Sequence, residues 1–549
     1  MNNLGYSLQS TQLAHSNDLH FLNKDGYQEQ FFMSFTITPG VDLSYFNNKG
    51  LNGETNHGLN LSFNIRNQAI GTSYYPSNPY YGQSTSSNSV YYYNYSQNRE
   101  GLDFKTKKER YIHVDLEGYF IEEKPTIPFF NISLPFLSNR TGTQLKTWID
   151  KIDEISNDKS IDGLIINLKQ VSAGFAKRRS MHMALNRLKD NGKKIIVYCE
   201  NDISTSNYHL ISMADEIYTH RMSSVSLVGY SMEAMFIRGL LDTLSIVPEV
   251  IRVSPYKTAG DMLLNKEMSE EMKENYSELL NDIYNISIND ISKAKNWSKE
   301  KTIKTIDEGP YLSSIKAIEV GLINGVMFPD EFLEYIKGFN NEKIEIINWN
   351  NYGFTEDYTN DWRPEIKPKV AVIYAVGGII SGKSNPGPGG STMMGDETII
   401  KAIKKARKDK DIKAIVLRVD SGGGSALASD MMWKEVYNTT TLDTNNVKPF
   451  IVSMSDVAAS GGYYIACEAD AIVADEGTIT GSIGVIWARI NFSELMKRIG
   501  INTSTIKRGE NSDFGNASHL LTDKELKNVQ ESIIDIYNIF KERVVQGRD

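Results

Sequence analysis

The sequence predicts a duplicated parallel α/β protein preceded by an antiparallel, β-rich region. Three observations predict it. Residues 451–465 repeat the pattern of residues 196–210 without a gap, so that Tyr463 falls on Tyr208, Asp470 on Asp215 and Gly484 on Gly229, 255 positions apart in each case. Around each copy, apolar runs of strand length alternate with amphipathic segments of helix length, the order expected of a parallel sheet. Before residue 105 the pattern has period two instead, broken by Gly/Asn turns, which reads as antiparallel hairpins.

A chain of 549 residues is too long for one core, and two to four domains are expected. With 23% charged and 40% hydrophobic residues the composition is that of an ordinary folded protein. A net charge of −9 argues against nucleic acid as a main partner, because phosphate binding needs clustered Lys and Arg. The two cysteines, Cys199 and Cys467, have neither metal-ligand spacing nor disulfide density and read as small buried hydrophobes. No metal or other cofactor is expected. No apolar run reaches the roughly 18 residues of a membrane helix, and the opening MNNLGYSLQS has neither a basic nor an apolar signal segment.

In residues 1–105, Met33, Phe35 and Ile37 alternate with Ser34, Thr36 and Thr38, and Leu59, Leu61, Phe63 and Ile65 alternate with polar neighbours. Turn residues such as Asn47-Asn48-Lys49-Gly50 separate the strands, and aromatics culminate in Tyr91-Tyr92-Tyr93-Asn94-Tyr95. Two readings stay open: strands of an outer-membrane-type barrel, with girdles of aromatics, or a soluble sheet packed on a neighbour. A barrel whose pattern is under way at residue 1 would imply a cut N-terminus.

Residues 109–340 form the first α/β copy. Residues 111–116 open it as a strand, 145–155 are an amphipathic helix, and 163–168 are a buried strand. Residues 341–369, polar and holding Pro364 and Pro368, read as a linker. Residues 370–549 form the second copy, with strands at 370–374 and 414–419 and a helix over 399–406. The first copy closes with the unit 309–324. The second stops before any counterpart, so its C-terminal end is also expected to be cut.

The two copies differ where chemistry would sit. In the second, a strand ends in Ala458-Ala459-Ser460-Gly461-Gly462, whereas the first has Thr205 at the serine position. A serine at a strand-to-helix junction is exposed, and a helix start behind it favours developing negative charge. Taken alone, Ser460 reads first as a helix N-cap. Asp420-Ser421-Gly422-Gly423-Gly424-Ser425 follows another buried strand, and such a glycine turn can present N–H groups as an oxyanion hole. The matching stretch of the first copy, 169–174, has lost its glycines save Gly174. The nearest histidine in sequence to Ser460 is His519, and nothing offers a Ser/His/Asp reading. The first copy instead supplies Lys257, just after the apolar run 249–253. A lysine serves as general base once burial lowers its pKa from about 10.4 to about 7–8, roughly 4 kcal/mol of differential solvation.

At this point the residues resemble a family, the long duplicated form of the bacterial signal peptide peptidases of the protease IV type, within the Clp-protease/crotonase-like superfamily. The resemblance spans about 109–549. It rests on Arg252-Val253-Ser254-Pro255-Tyr256-Lys257-Thr258-Ala259, on Asp456-Val457-Ala458-Ala459-Ser460-Gly461-Gly462-Tyr463, and on Thr478-Ile479-Thr480-Gly481-Ser482-Ile483-Gly484-Val485. It implies two tandem crotonase-like domains and a serine endopeptidase that hydrolyses apolar peptides such as remnant signal peptides. Ser460 would be the nucleophile, Lys257 the general base and Ser482 a hydrogen-bonding support for the amine. The amides of Gly461 and of Gly424 or Gly423 would form the oxyanion hole. The resemblance also implies a membrane-associated homo-oligomer, a tetramer, in the bacterial envelope with its catalytic part in the periplasm. The chain departs from the family in having Ser421-Gly422-Gly423-Gly424 where Ser-Pro-Gly-Gly is usual, and the β-rich region in place of an N-terminal membrane helix.

Three rivals remain. Ser254-Pro255-Tyr256-Lys257 also fits Ser-x-x-Lys, which needs both residues on one helical turn, and Pro255 disfavours helix there. A crotonase-type acyl-CoA enzyme shares the oxyanion geometry but leaves the Ser460–Lys257 pair unexplained. An inactive membrane-associated scaffold would not need Ser460, Lys257 and Ser482 all intact.

Overall fold

The computed structural model describes residues 4–12, 27–38, 41–49, 55–65, 68–74, 90–95, 109–123, 142–338, 344–353, 368–387, 392–442 and 447–548. The chain divides into two compact units, one of Met1–Arg110 with Asn340–Lys367, the other of Tyr111–Phe339 with Pro368–Asp549.

In the first unit six strands, Leu4–Gln12, Tyr27–Thr38, Val41–Lys49, Thr55–Ile65, Gln68–Tyr74 and Val90–Tyr95, follow one another across a sheet in chain order. Every neighbouring pair is antiparallel, with Met33 opposite Tyr45 and Leu61 opposite Thr72. The alternation read from residues 33–38 and 59–65 thus lies on strands, as period two requires. The turn beyond Lys49 lies outside the described residues. So does most of the stretch 341–369, which in its described part carries a short strand, Glu345–Asn348.

The second unit is mixed α/β with parallel sheets, built as two lobes on one plan. The first lobe orders its strands Glu216–Thr219, Lys194–Cys199, Gly163–Ser172, Arg110–Ile121, all in parallel. The second orders Ala471–Val473, Phe450–Ala459, Ile412–Ser421, Lys369–Val376, again in parallel. The 255-residue offset is visible in the registers. Ile196 pairs with Glu216 as Ile451 pairs with Ala471. The Asp215 carboxylate accepts from Ile195 N at 2.8 Å, and the Asp470 carboxylate accepts from Phe450 N at 2.7 Å.

Helices cover the sheets because their apolar positions fall on one face. On Leu145–Asn157 these are Leu145, Trp148, Ile152 and Ile155, and on Asp396–Lys408 they are Ile399, Ile403 and Ala406. The latter also places Asp396 and Glu397 in its first turn and Arg407 and Lys408 in its last, which suits the helix dipole. The second-lobe core is Ile415, Leu417, Val419, Phe450 and Val452 packed on Met432 and Val436. Both cysteines are buried and free, and burial pushes the Cys467 thiol up to about 12, so both act as packing residues.

The lobes join through polar contacts and one shared sheet. Strand Val247–Arg252 of the first lobe pairs antiparallel with Ile486–Asn491 of the second, from Val247 opposite Asn491 to Arg252 opposite Ile486. Glu122 receives the Arg418 guanidinium at 2.9 and 3.1 Å and the Ser455 hydroxyl at 2.5 Å. That shared ribbon is what brings the two halves of the site together.

Candidate active site

Strand Phe450–Ala459 delivers Ser460 with φ 53° and ψ −119°. A side-chain-bearing residue pays about 1–3 kcal/mol for such a backbone, and here the surroundings impose it. Ser460 N donates to Gly481 O at 2.9 Å, and Ser460 O accepts from Tyr464 N at 2.9 Å. The helix that follows, Gly461–Tyr464, is only four residues long. The helix start expected behind the serine therefore has no extended dipole, and negative charge there would be met by individual amides.

Lys257 reaches the same point from the other lobe. The ribbon ends at Arg252, the chain turns through Ser254-Pro255-Tyr256, and the Arg252 guanidinium then grips Asp261 at 2.5 Å. Asp261 is fully buried and also accepts from Ser269 Oγ at 2.5 Å. This clamp fixes both ends of the turn bearing Lys257. The Lys257 Nζ lies 3.0 Å from Ser460 Oγ, 2.9 Å from Ser482 Oγ and 2.8 Å from Ser482 O. Ser482, at φ 51°, sits in a turn that aims its hydroxyl and its carbonyl at one amine. Gly484 packs on the lysine stem, where a Cβ would stand 3.3 Å from Lys257 Cδ.

Lys257 is 9% exposed. Burial pulls its ammonium down from the ordinary 10.5 to about 8. Among the described residues no carboxylate forms an ion pair with it. A buried amine with three oxygens around it and no counter-ion is poised to exist neutral near physiological pH.

The glycine turn comes up beside Ser460. Gly423 N donates to Ser421 Oγ at 3.1 Å, and Ser421 Oγ donates to Gly377 O at 2.6 Å. Gly423 is therefore engaged. Among the described residues the amides of Gly424 and Gly461 make no hydrogen bond. Gly423 has φ 96°, and a Cβ on it would lie 2.6 Å from Gly461 N and 2.9 Å from Ser460 Cβ. Only glycine lets the two loops approach this closely.

Ser460, Lys257, Gly424 and Gly461 open on one cavity of about 490 Å³. Its other walls are largely apolar: Val485 just before the shared ribbon, Ile486 and Trp487 in it, Phe514, and Val529, Ile533 and Phe540 of the helix Asp523–Arg548.

The model of peptidase family S49 matches residues 187–338 and 443–549. Protease 4 of Haemophilus influenzae is 32% identical over 453 residues, which are 79% of this chain and 71% of that protein. This chain belongs to peptidase family S49. Serine protease SPPA, chloroplastic, of Arabidopsis thaliana is 31% identical over 414 residues, and Protease 4 of Salmonella typhi is 29% identical over 379. The matches cover 74% and 67% of this chain but only 60% and 59% of those two relatives.

Within this S49 chain the structure brings together all six residues singled out from the sequence, Ser460, Lys257, Ser482, Gly461, Gly424 and Gly423. Ser254 and Lys257 close one tight turn, Lys257 N donating to Ser254 O at 3.1 Å, but that turn is not helix and the Lys257 amine points at Ser460. His519 stands apart, its ring bonded to the carbonyls of Leu520 and Asp513. Sequence reasoning missed the Arg252–Asp261 clamp and the helical cavity wall. The apolar positions Val529, Ile533, Ile536 and Phe540 at helical spacing were the available signal for the latter.

Proposed function

We propose that this chain is a serine endopeptidase that hydrolyses apolar peptides with Ser460 as nucleophile and Lys257 as general base. The observation that carries the reading is the 3.0 Å approach of Lys257 Nζ to Ser460 Oγ, with two Ser482 oxygens holding the amine. In the neutral amine, two N–H bonds go to the Ser482 oxygens and the lone pair faces the Ser460 hydroxyl. Ser460 Oγ attacks the scissile carbonyl carbon as its proton passes to Lys257 Nζ. The oxyanion is met by the Gly461 and Gly424 amides. Collapse breaks the C–N bond, Lys257 returns the proton to the leaving amine, and an acyl-Ser460 remains. Water, deprotonated by the same amine, then releases the acid and restores Ser460.

Membership of family S49 and the relatives named Serine protease SPPA and Protease 4 support this reading. The apolar cavity suits apolar side chains, and remnant signal peptides are the substrate class we propose. The two lobes would be tandem domains of the crotonase/Clp-protease type, their matched registers reflecting duplication. A homo-oligomer at the bacterial envelope membrane, with the catalytic unit in the periplasm, completes the proposal. No helix among the described residues is long and apolar enough to cross a membrane. The N-terminal strands, several of 9–12 residues and consecutive in one antiparallel sheet, suit an outer-membrane-type barrel as the attachment.

The test is hydrolysis of quenched-fluorescent apolar peptides by the chain and by Ser460→Ala and Lys257→Ala. Both variants should fold normally and lose turnover. Normal turnover by either one removes the assignment.

A further inference from the structure

Beside the catalytic cavity Trp433, Tyr464 and Phe540 pack as a closed cluster. The Arg543 guanidinium lies 3.8 Å over the Trp433 ring and bonds Asp430 at 3.1 Å. Three corners of this arrangement have counterparts in the first lobe. His209 stands 255 positions before Tyr464. His182 is the eighth residue of helix Phe175–Asp190, as Trp433 is of Ala426–Tyr437. Asp290 and Arg543 each hold the same place in a 26-residue helix, Glu270–Lys295 and Asp523–Arg548. Where the second lobe has Trp, Tyr and Arg, the first has His, His and Asp.

The three side chains converge. One potential ligand atom from each lies within 4.8 Å of the other two. His209 Nε2 is 2.8 Å from Asp290 Oδ2, and the His182 ring stacks on His209 at 5.0 Å and 16°. His182 and His209 are 3% and 0% exposed, yet the Nδ1 of each is buried without a hydrogen-bond partner among the described residues. Two such nitrogens in one cluster are costly in a packed interior. Buried imidazoles with spare nitrogens beside a carboxylate are the donor set of a divalent transition metal. The Asp290 side chain, 22% exposed, leaves an approach from solvent.

We propose that the first lobe binds one divalent transition-metal ion of the zinc type through His182, His209 and Asp290, in the place that Trp433, Tyr464 and Arg543 occupy in the second lobe. The role is structural and lies at the lobe junction. Phe175 stacks on His209 at 5.4 Å and fills the space beside Gly477 of the second lobe. Arg179 stands 3.7 Å from Asp290 while holding Asp475 at 2.7 Å and Glu476 at 2.9 Å. Sequence reading missed the trio because its members come from three separate helices, with none of the short spacings of a metal motif.

The test uses the whole chain, free of any polyhistidine tag, titrated with Co²⁺ and then Zn²⁺. One equivalent of Co²⁺ should give visible d–d absorption that Zn²⁺ displaces, and each metal should raise the melting temperature. His519→Ala, which removes the separate Asp513/His519/Glu525 group, should leave both signals intact. Asp290→Asn, at the exposed edge, and His182→Gln should each weaken binding more than about tenfold. Absence of the bands in the unmutated protein, or bands unchanged in both Asp290→Asn and His182→Gln, overturns the proposal.

Discussion

The Lys177 ammonium of the first lobe lies 2.9 Å from the Asp456 carboxylate of the second, and 2.5 Å from that of Asp420. Asp456 opens the run that ends in Ser460, and Asp420 opens the glycine turn. Asp456 also accepts from the Lys177 amide at 2.9 Å, and Asp420 from Val457 N at 3.2 Å. One buried cation thus pins both loops of the site to the other lobe. Removing it leaves two largely buried carboxylates with backbone amides but no counter-charge from Lys177.

Lys177→Ala should therefore destabilise the α/β unit by about 3 kcal/mol or more, as breaking a buried ion pair does. The turnover number should fall with it, because both loops lose their shared anchor. Denaturant melts together with steady-state kinetics check this. A variant of unchanged stability would show the contact to be incidental.

Gly423 is a point of close approach between the glycine turn and the serine loop. Gly423→Ala adds a methyl at a left-handed backbone and against Gly461 N, so the loops must part. A displacement near 1 Å costs up to about 10²-fold in rate. The loss should appear in kcat more than in KM, with the circular dichroism spectrum unchanged. Gly422, which has open space at its Cβ position, is the control: Gly422→Ala should be nearly neutral.

Lys257 also sets a stability trend with pH. Its folded pKa of about 8 lies below the ordinary 10.5, so between those values the unfolded chain binds the extra proton and stability rises with pH. Below about 8 both states are protonated, and the full burial penalty is felt. Relative to Lys257→Met, the unmutated chain should gain stability as pH rises from 8 towards 10.5. Parallel thermal melts across that window check the sign, and a constant gap between the two would contradict it.

Much of this site is legible in the sequence, for physical reasons that differ by element. The strands around 163–172 and 450–459 are apolar runs of the right length, and the repeat is visible because each lobe must satisfy the same backbone, as Asp215 and Asp470 do. Ser460 and Lys257 announce themselves by breaking that symmetry. Lys177, by contrast, reads as an ordinary helical lysine, because its carboxylate partner Asp420 lies 243 positions away. The role of the last helix is hidden too. Its apolar stripe says that a face is buried, but nothing local says that part of that face lines the cavity at Ser460 and Lys257.

If an uncharged Lys257 removes the Ser460 proton, kcat/KM must follow the ionisation of that amine with pH. With an apolar peptide the profile should rise along a single limb with a midpoint near 8, the value to which burial brings the lysine, and level off above it. Below the midpoint the amine is protonated and has no lone pair to offer. A profile flat from about pH 6 to about pH 10 would contradict a lysine base.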